Sequence, residues 1–413
     1  MFIISKDFTN NNPSIRRIGI IIAFLTGFSI NLSTSFQNIM VFTLVLSSFF
    51  HSNFNTLLKE SLKNNFIKGA LLFYMIFIIA VLWSKAPIAD TISMLLRMIL
   101  FLLCPLIYVF FVVRENVKAF FLGFALCVLI SVFLSLFSDL SGLNFYLQNT
   151  GLHTEINGFK IDLFRGHTYQ NYFSALLTAS LIILILEGFI TKRSHKIIII
   201  SLIAIIFVNV FFFVTGRTGH ILYLFMLLII ALYYMNWKRI IIFTLILLSL
   251  SAIIIYSSSN IRSGISNAVN DIRSYEAGYA NTSLGLRITF YKNSLKIISE
   301  SPIIGHGTGS FKSEYEKLKD EVMTSVGNPH SDYLWFAAEI GLLGLGVFIG
   351  FLYLSLYQSF YTKMPYKLMA TILIVTYIIS SINNSFFTDN LTGQFFILAL
   401  CALLSRNELI KTS

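Results

Sequence analysis

His330, Arg217 and Arg287 combine residue type and position in a way that could do chemistry. His330 stands in GNPHSDYLWFAAEIGLLGLG, where a polar segment meets an apolar run long enough to be a membrane helix. Asn328 is a helix-capping residue type and Pro329 suits a first helical position, so the spacing predicts His330 within the first turn. There the helix dipole disfavours imidazolium and leaves a neutral ring able to accept a proton near neutral pH, as a general base must. The position would also suit a histidine that only hydrogen-bonds at the membrane interface. Arg217 lies in VTGRTGH, a very short turn between apolar runs, and Arg287 in SLGLRITFYKNSLKIISESP. Two guanidiniums are permanent, planar, bidentate donors that match phosphate oxygens, and a diphosphate leaving group would suit them. The alternative for Arg217 is an arginine snorkelling to the interface.

Other candidates carry less. Arg165, His167 and Asn171 in LFRGHTYQNYF could add contacts to a sugar or phosphate, although the structural reading is favoured. Arg97 falls well inside an apolar run, where an unpaired charge is expensive and faces a cavity or a partner, or serves the structure. Gly305, Gly307 and Gly309 in IIGHGTGSF permit tight turns, but they follow a helical pattern rather than opening one after a strand, so they are no nucleotide fingerprint. No HExxH, paired-cysteine spacing or aspartate cluster is present, and no metal or other cofactor is expected. Cys104, Cys127 and Cys401 fall in apolar runs and read as packing residues.

The elements that must position these groups are membrane helices. Of 413 residues 56% are hydrophobic and 12% charged, about half the charge of a soluble domain, which excludes a water-soluble globule. Apolar runs fall near 18–34, 36–50, 66–83, 91–113, 117–137, 168–190, 197–214, 219–236, 239–257, 331–358, 366–382 and 391–405. The expectation is one all-α polytopic membrane domain over 1–413, with about 12 transmembrane helices. The net charge of +11 collects on alternate connections, including Arg16 and Arg17, Lys192 to Lys196, Lys238 and Arg239, and Lys363 and Lys367. That pattern points to membrane rather than nucleic acid, with both termini cytoplasmic. The long segment 258–329 then falls outside. Within it Leu284, Ile288, Tyr291, Leu295 and Ile298 have helical spacing between Thr282 and Pro302, which predicts an amphipathic surface helix.

RTG after a central apolar run, SLGLRITFYKNSLKIISESPIIGHGTGSF late in the chain and NPHSDYLWFAAEIGLLGLG opening the next run together resemble the O-antigen ligase family. The motif matches lie within about residues 215–346. The resemblance implies a C-type glycosyltransferase-like enzyme of the Gram-negative inner membrane whose large loop and site face the periplasm. It implies a donor glycan on undecaprenyl diphosphate, lipid A-core as acceptor, a catalytic histidine at His330 and diphosphate-binding arginines at Arg217 and Arg287. Ser331 departs from the asparagine frequent after that histidine. O-antigen polymerases and protein O-oligosaccharyltransferases share related loops and stand as alternatives. A transporter or flippase is less favoured, because the polar groups gather at one face rather than at the bilayer midplane.

Overall fold

The computed structural model describes residues 13–141, 146–148, 151–156, 159–163, 167–214, 217–318 and 328–406. The first part comprises α1 (Pro13–Ser29), α2 (Thr34–Ser48), α3 (Phe54–Ser61), α4 (Asn65–Ala80), α5 (Ile88–Phe111) and α6 (Arg114–Ser141). After strands β1 (Tyr146–Gln148), β2 (Gly151–Ile156) and β3 (Phe159–Leu163) come α7 (His167–Leu186) and α8 (Arg193–Val208), which a π-helical turn extends through Phe213. There follow α9 (Arg217–Tyr234), α10 (Trp237–Ser257), α11 (Ser259–Glu276), α12 (Ser283–Glu300) and α13 (Phe311–Lys317). The chain ends with α14 (Asp332–Ser359), α15 (Tyr366–Ser380) and α16 (Asn390–Leu404).

Every expected apolar run falls largely on a helix, and the protein is a polytopic helical membrane protein. Among the described residues seven helical stretches are long and apolar enough to cross a membrane: Asn65–Trp83, Ile88–Phe111, Arg114–Phe137, Thr168–Leu186, Arg193–Phe213, Trp237–Ser257 and Asp332–Ser359. Against about twelve expected, the others are shorter: Thr218–Tyr234, Tyr366–Ser380 and Asn390–Leu404 are apolar, and α1 and α2 have 17 and 15 residues. Polar connections shorten them, as residues 381–389 do between α15 and α16.

The all-α membrane fold stands as expected, with one addition and one correction. In the addition, β1, β2 and β3 form a small antiparallel sheet in that order, pairing Tyr146 with His153 and Glu155 with Lys160. The signal was present: Asn157 and Gly158 stand between two short β-rich runs, the signature of a two-residue hairpin. In the correction, the amphipathic stripe on α12 is rotated. Its buried residues are Gly285, Phe290, Asn293, Ser294 and Ile297, whereas Leu295 of the expected stripe is 58% exposed. Packing on α14 selected the face with small and polar groups over the more apolar one. The exposed apolar row lies instead on α11, at Ile265, Val269 and Ile272.

Phenylalanine builds much of the core. Phe73 of α4 meets Phe77, Phe101 of α5, and Phe336 and Phe348 of α14 at centroid distances of 5.0–5.2 Å. Lipid tails are as apolar as these rings, so close dispersion contact rather than exclusion of water must hold the helices together.

Inside α14 the helix breaks at Gly341, whose φ of 69° and ψ of −178° no other residue type adopts readily. The glycine loop fills the break. Leu342 and Leu343 N–H donate to Pro302 and Ile303 O, while His306 and Gly307 N–H donate to Ala338 and Glu339 O, at 2.8–3.2 Å. A broken membrane helix is tolerable when its freed backbone groups are satisfied in this way. The buried Glu339 carboxylate secures the loop further, accepting from Gly309 N–H at 2.9 Å, Phe311 N–H at 3.4 Å and Trp335 Nε1 at 2.8 Å. Ser84 and Thr91 hydroxyls donate to Thr308 O, tying the start of α5 to the same loop.

Candidate active site

The starts of α7, α9, α14 and α16 gather at one end of the bundle with α12 and residues 381–389. The segment 381–389 is the hub. Asp332, fully buried, accepts from Phe387 N–H at 2.9 Å, from Thr388 N–H at 3.1 Å and from the Thr388 hydroxyl at 2.9 Å. Asn384 Nδ2 donates to Thr218 Oγ1 at 3.5 Å, beside Arg217 at the start of α9. Tyr169 near the start of α7 donates to Asp389, the residue whose carboxylate caps α16 through Leu391 and Thr392 N–H. At the opposite end Arg406 donates to Phe111 O and Arg16 pairs with Glu115.

His330 does not lie within the first turn of α14. The helix opens at Asp332 after Ser331, and His330 precedes both with a φ of 55°, the left-handed region that a side chain with Cβ rarely enters. Asn328 is an Asx-turn residue here rather than the helix cap. Its Oδ1 accepts from His330 N–H at 2.7 Å and from Ser385 Oγ at 2.6 Å. The Ser331 hydroxyl, where the resembling family often has an amide, donates to Ser381 O at 3.1 Å. Backbone strain of this kind persists only when several partners enforce it.

The imidazole of His330 stacks on Phe290 of α12 with centroids 5.8 Å apart and an interplanar angle of 18°. Burial lowers its pKa below 6.5, and the Arg287 charge lowers it further. The ring is therefore neutral near pH 7 for reasons other than the helix dipole expected from sequence. Tyr291, one turn beyond Arg287, donates to Ile382 O at 2.8 Å and approaches His330 O at 3.4 Å. Burial raises the Tyr291 pKa while Arg287 opposes the rise, so Arg287 acts electrostatically on both neighbours. The fold thus brings the Arg287 charge within electrostatic reach of His330 and ties the start of α9 to the same hub.

The other expected contacts are placed differently. Asn171 is buried between α7 and α9, where a Cβ on Gly219 would come within 2.2 Å of its own Cβ, so glycine is required for that approach. His167 opens α7, and Arg165 lies outside the described residues. Asn384, Ser385 and Thr388 were invisible in sequence as site residues, because a polar cluster between two apolar runs reads only as a loop. Among the described residues Glu300, His306 and Glu314 have potential metal-ligand atoms within 4.8 Å of one another. Glu314 pairs with Lys317, while His306 Nδ1 lies 3.8 Å from Glu314 and its Nε2 2.9 Å from Ile297 O.

The profile of the family described as O-Antigen ligase matches residues 202–349, a segment that contains Arg217, Arg287, His330 and the break at Gly341. A similar protein is an uncharacterized protein of Haemophilus influenzae (strain ATCC 51907 / DSM 11121 / KW20 / Rd), 28% identical over 251 residues. That match covers 56% of this chain and 62% of the relative, so the chain spans less than two thirds of the relative's length. Taken with the polar end of the bundle just described, the match over residues 202–349 supports membership of the O-antigen ligase family for this multi-pass membrane protein.

Proposed function

We propose that the protein transfers a polysaccharide from undecaprenyl diphosphate to lipid A-core, with no metal and with inversion at the anomeric carbon. The observation that carries this reading is His330 stacked on Phe290 within electrostatic reach of Arg287, inside the segment that the family profile covers. The acceptor hydroxyl oxygen attacks the anomeric carbon while His330 takes its proton, and the bond from that carbon to the diphosphate oxygen breaks. Arg287 and Arg217 stabilise the negative charge that grows on the departing lipid diphosphate. Arg165 and His167 are further contacts to the donor in this scheme, whereas Asn171, buried between α7 and α9, serves the packing there. A polymerase, with a second lipid-linked glycan as acceptor, would use the same donor chemistry.

The test is the lipopolysaccharide of a deletion strain together with turnover of the purified protein. Bare lipid A-core with accumulated lipid-linked polymer is expected, whereas core carrying one repeat unit would make the protein a polymerase. Purified protein should keep turning over in EDTA. Turnover lost on chelation and regained with magnesium or manganese would remove the argument that arginine replaces a metal ion.

In the same scheme the His330 end faces the periplasm of the inner membrane and the termini are cytoplasmic, as the alternation of basic connections supports. A cysteine introduced at Lys317 should react with an impermeant maleimide added to intact spheroplasts, and one at Lys192 only after lysis. The reverse pattern would invert the orientation and place the chemistry on the wrong side for these substrates.

A further inference from the structure

We propose that Arg97, supported by the ring of Trp335, is a binding site for the phosphate of a membrane lipid. Arg97 lies nine residues after the first residue of α5, about 14 Å along the helix axis. It is nonetheless exposed. The row beside it on α5 is exposed as well: Ile88 at 78%, Ile92 at 50% and Leu96 at 62%. Such a row on a membrane helix is a lipid-facing surface, so the guanidinium emerges where hydrocarbon or headgroups must meet it.

The site is built rather than incidental. The Arg97 guanidinium carbon lies 5.6 Å from the Trp335 ring centroid, and Trp335 is itself buried, at 5% exposure. The indole N–H donates to Glu339 at 2.8 Å, which fixes the ring under the cation. Among the described residues no carboxylate comes within 4.0 Å of the Arg97 guanidinium. The Glu339 carboxylate takes its three hydrogen bonds from Gly309, Phe311 and Trp335 instead, leaving the guanidinium donors to another anion.

Depth identifies that anion. Trp335 is three residues into α14, and the start of α5 is tied to the glycine loop, so Arg97 lies towards the His330 end of the bundle. A long arginine stem reaches the headgroup layer from there. The anion of that layer is lipid phosphate, which a guanidinium binds through paired N–H donors. Bulk anionic phospholipid and a polyprenyl diphosphate share this chemistry. The inference does not depend on the transferase reading.

Native mass spectrometry of the full chain released from micelles reads lipid retention directly, with dioleoylphosphatidylglycerol or undecaprenyl diphosphate added singly. Arg97→Gln is expected to lose about tenfold in retention of one of the two, the difference of one charge-assisted contact of about 1.4 kcal/mol. The lipid that is lost identifies the source. Arg97→Lys should lose part of it, and Glu339→Gln should keep or increase retention because it removes a competing negative charge. If Arg97 only offsets Glu339, Arg97→Gln will lower the Tm, Arg97→Gln/Glu339→Gln will restore it, and retention of both lipids will equal the parent's throughout. That outcome overturns the proposal. Should Arg97→Gln fail to accumulate, Arg97→Lys carries the same decision: reduced retention of one lipid supports the site, and retention of both lipids equal to the parent's overturns it.

Discussion

His330→Ala is expected to lower turnover by about 10² to 10⁴, the contribution of a positioned general base, or roughly 3–5 kcal/mol of activation free energy. Donor binding should remain close to the parent's, because the diphosphate contacts are assigned to arginines. The pH profile provides a second readout. Burial and Arg287 both disfavour imidazolium, so the folded pKa of His330 lies below 6.5. The base is therefore competent at neutral pH, and turnover should fall on an acid limb below pH 6.5 as the ring protonates. Arg287→Gln removes one of the two causes and should move what activity remains to a limb closer to 6.5. An unshifted limb in Arg287→Gln, or near-parental turnover in His330→Ala, would leave His330 as a structural residue of the turn before α14. The His330→Ala protein must insert and accumulate like the parent, since the left-handed backbone there is part of the packing.

The second large effect is expected from a conservative change. Arg287→Lys retains the charge and loses the fork that pairs with two phosphate oxygens, so both donor affinity and the chemical step should suffer. Loss of one preorganised donor to a developing negative charge lowers turnover by about 10² to 10³. The substituted lysine still places a cation near His330, so the acid limb should stay near the parent's position while turnover falls. That combination distinguishes phosphate recognition from tuning of the histidine. Parental turnover in Arg287→Lys would show that only charge is needed at the position and would end the bidentate assignment.

Periodicity and hydropathy made the helices legible because both are properties of a few consecutive residues. The polar end of the bundle was legible in part for the same reason: His330 and Arg217 each border an apolar run, and lipid confines such groups to the ends of spans, whereas Arg287 lies on a helix of the long segment between two runs. Local order also misled. Asn328 and Pro329 have the types that open a helix, yet Asn328 turns to Ser385, 57 positions away, and the helix starts at Asp332. The stripe on α12 followed the best apolar spacing, whereas the face actually buried carries Asn293 and Ser294, chosen by the shape of α14 and the Tyr315 hydroxyl that Asn293 reaches.

What the sequence determined by itself was a helical membrane protein with its candidate site side chains outside the apolar runs, since transfer of apolar runs out of water and the cost of burying charge act residue by residue. The tertiary structure decided which of those side chains meet. Asp332 with Phe387 and Thr388, Glu339 with Gly309, and Arg97 over Trp335 are contacts between segments 30 to 238 positions apart. No local spacing specifies such pairs. The Glu339 contact exists because Gly341 breaks α14 where the glycine loop can enter, and close packing leaves each buried donor and acceptor few partners within reach.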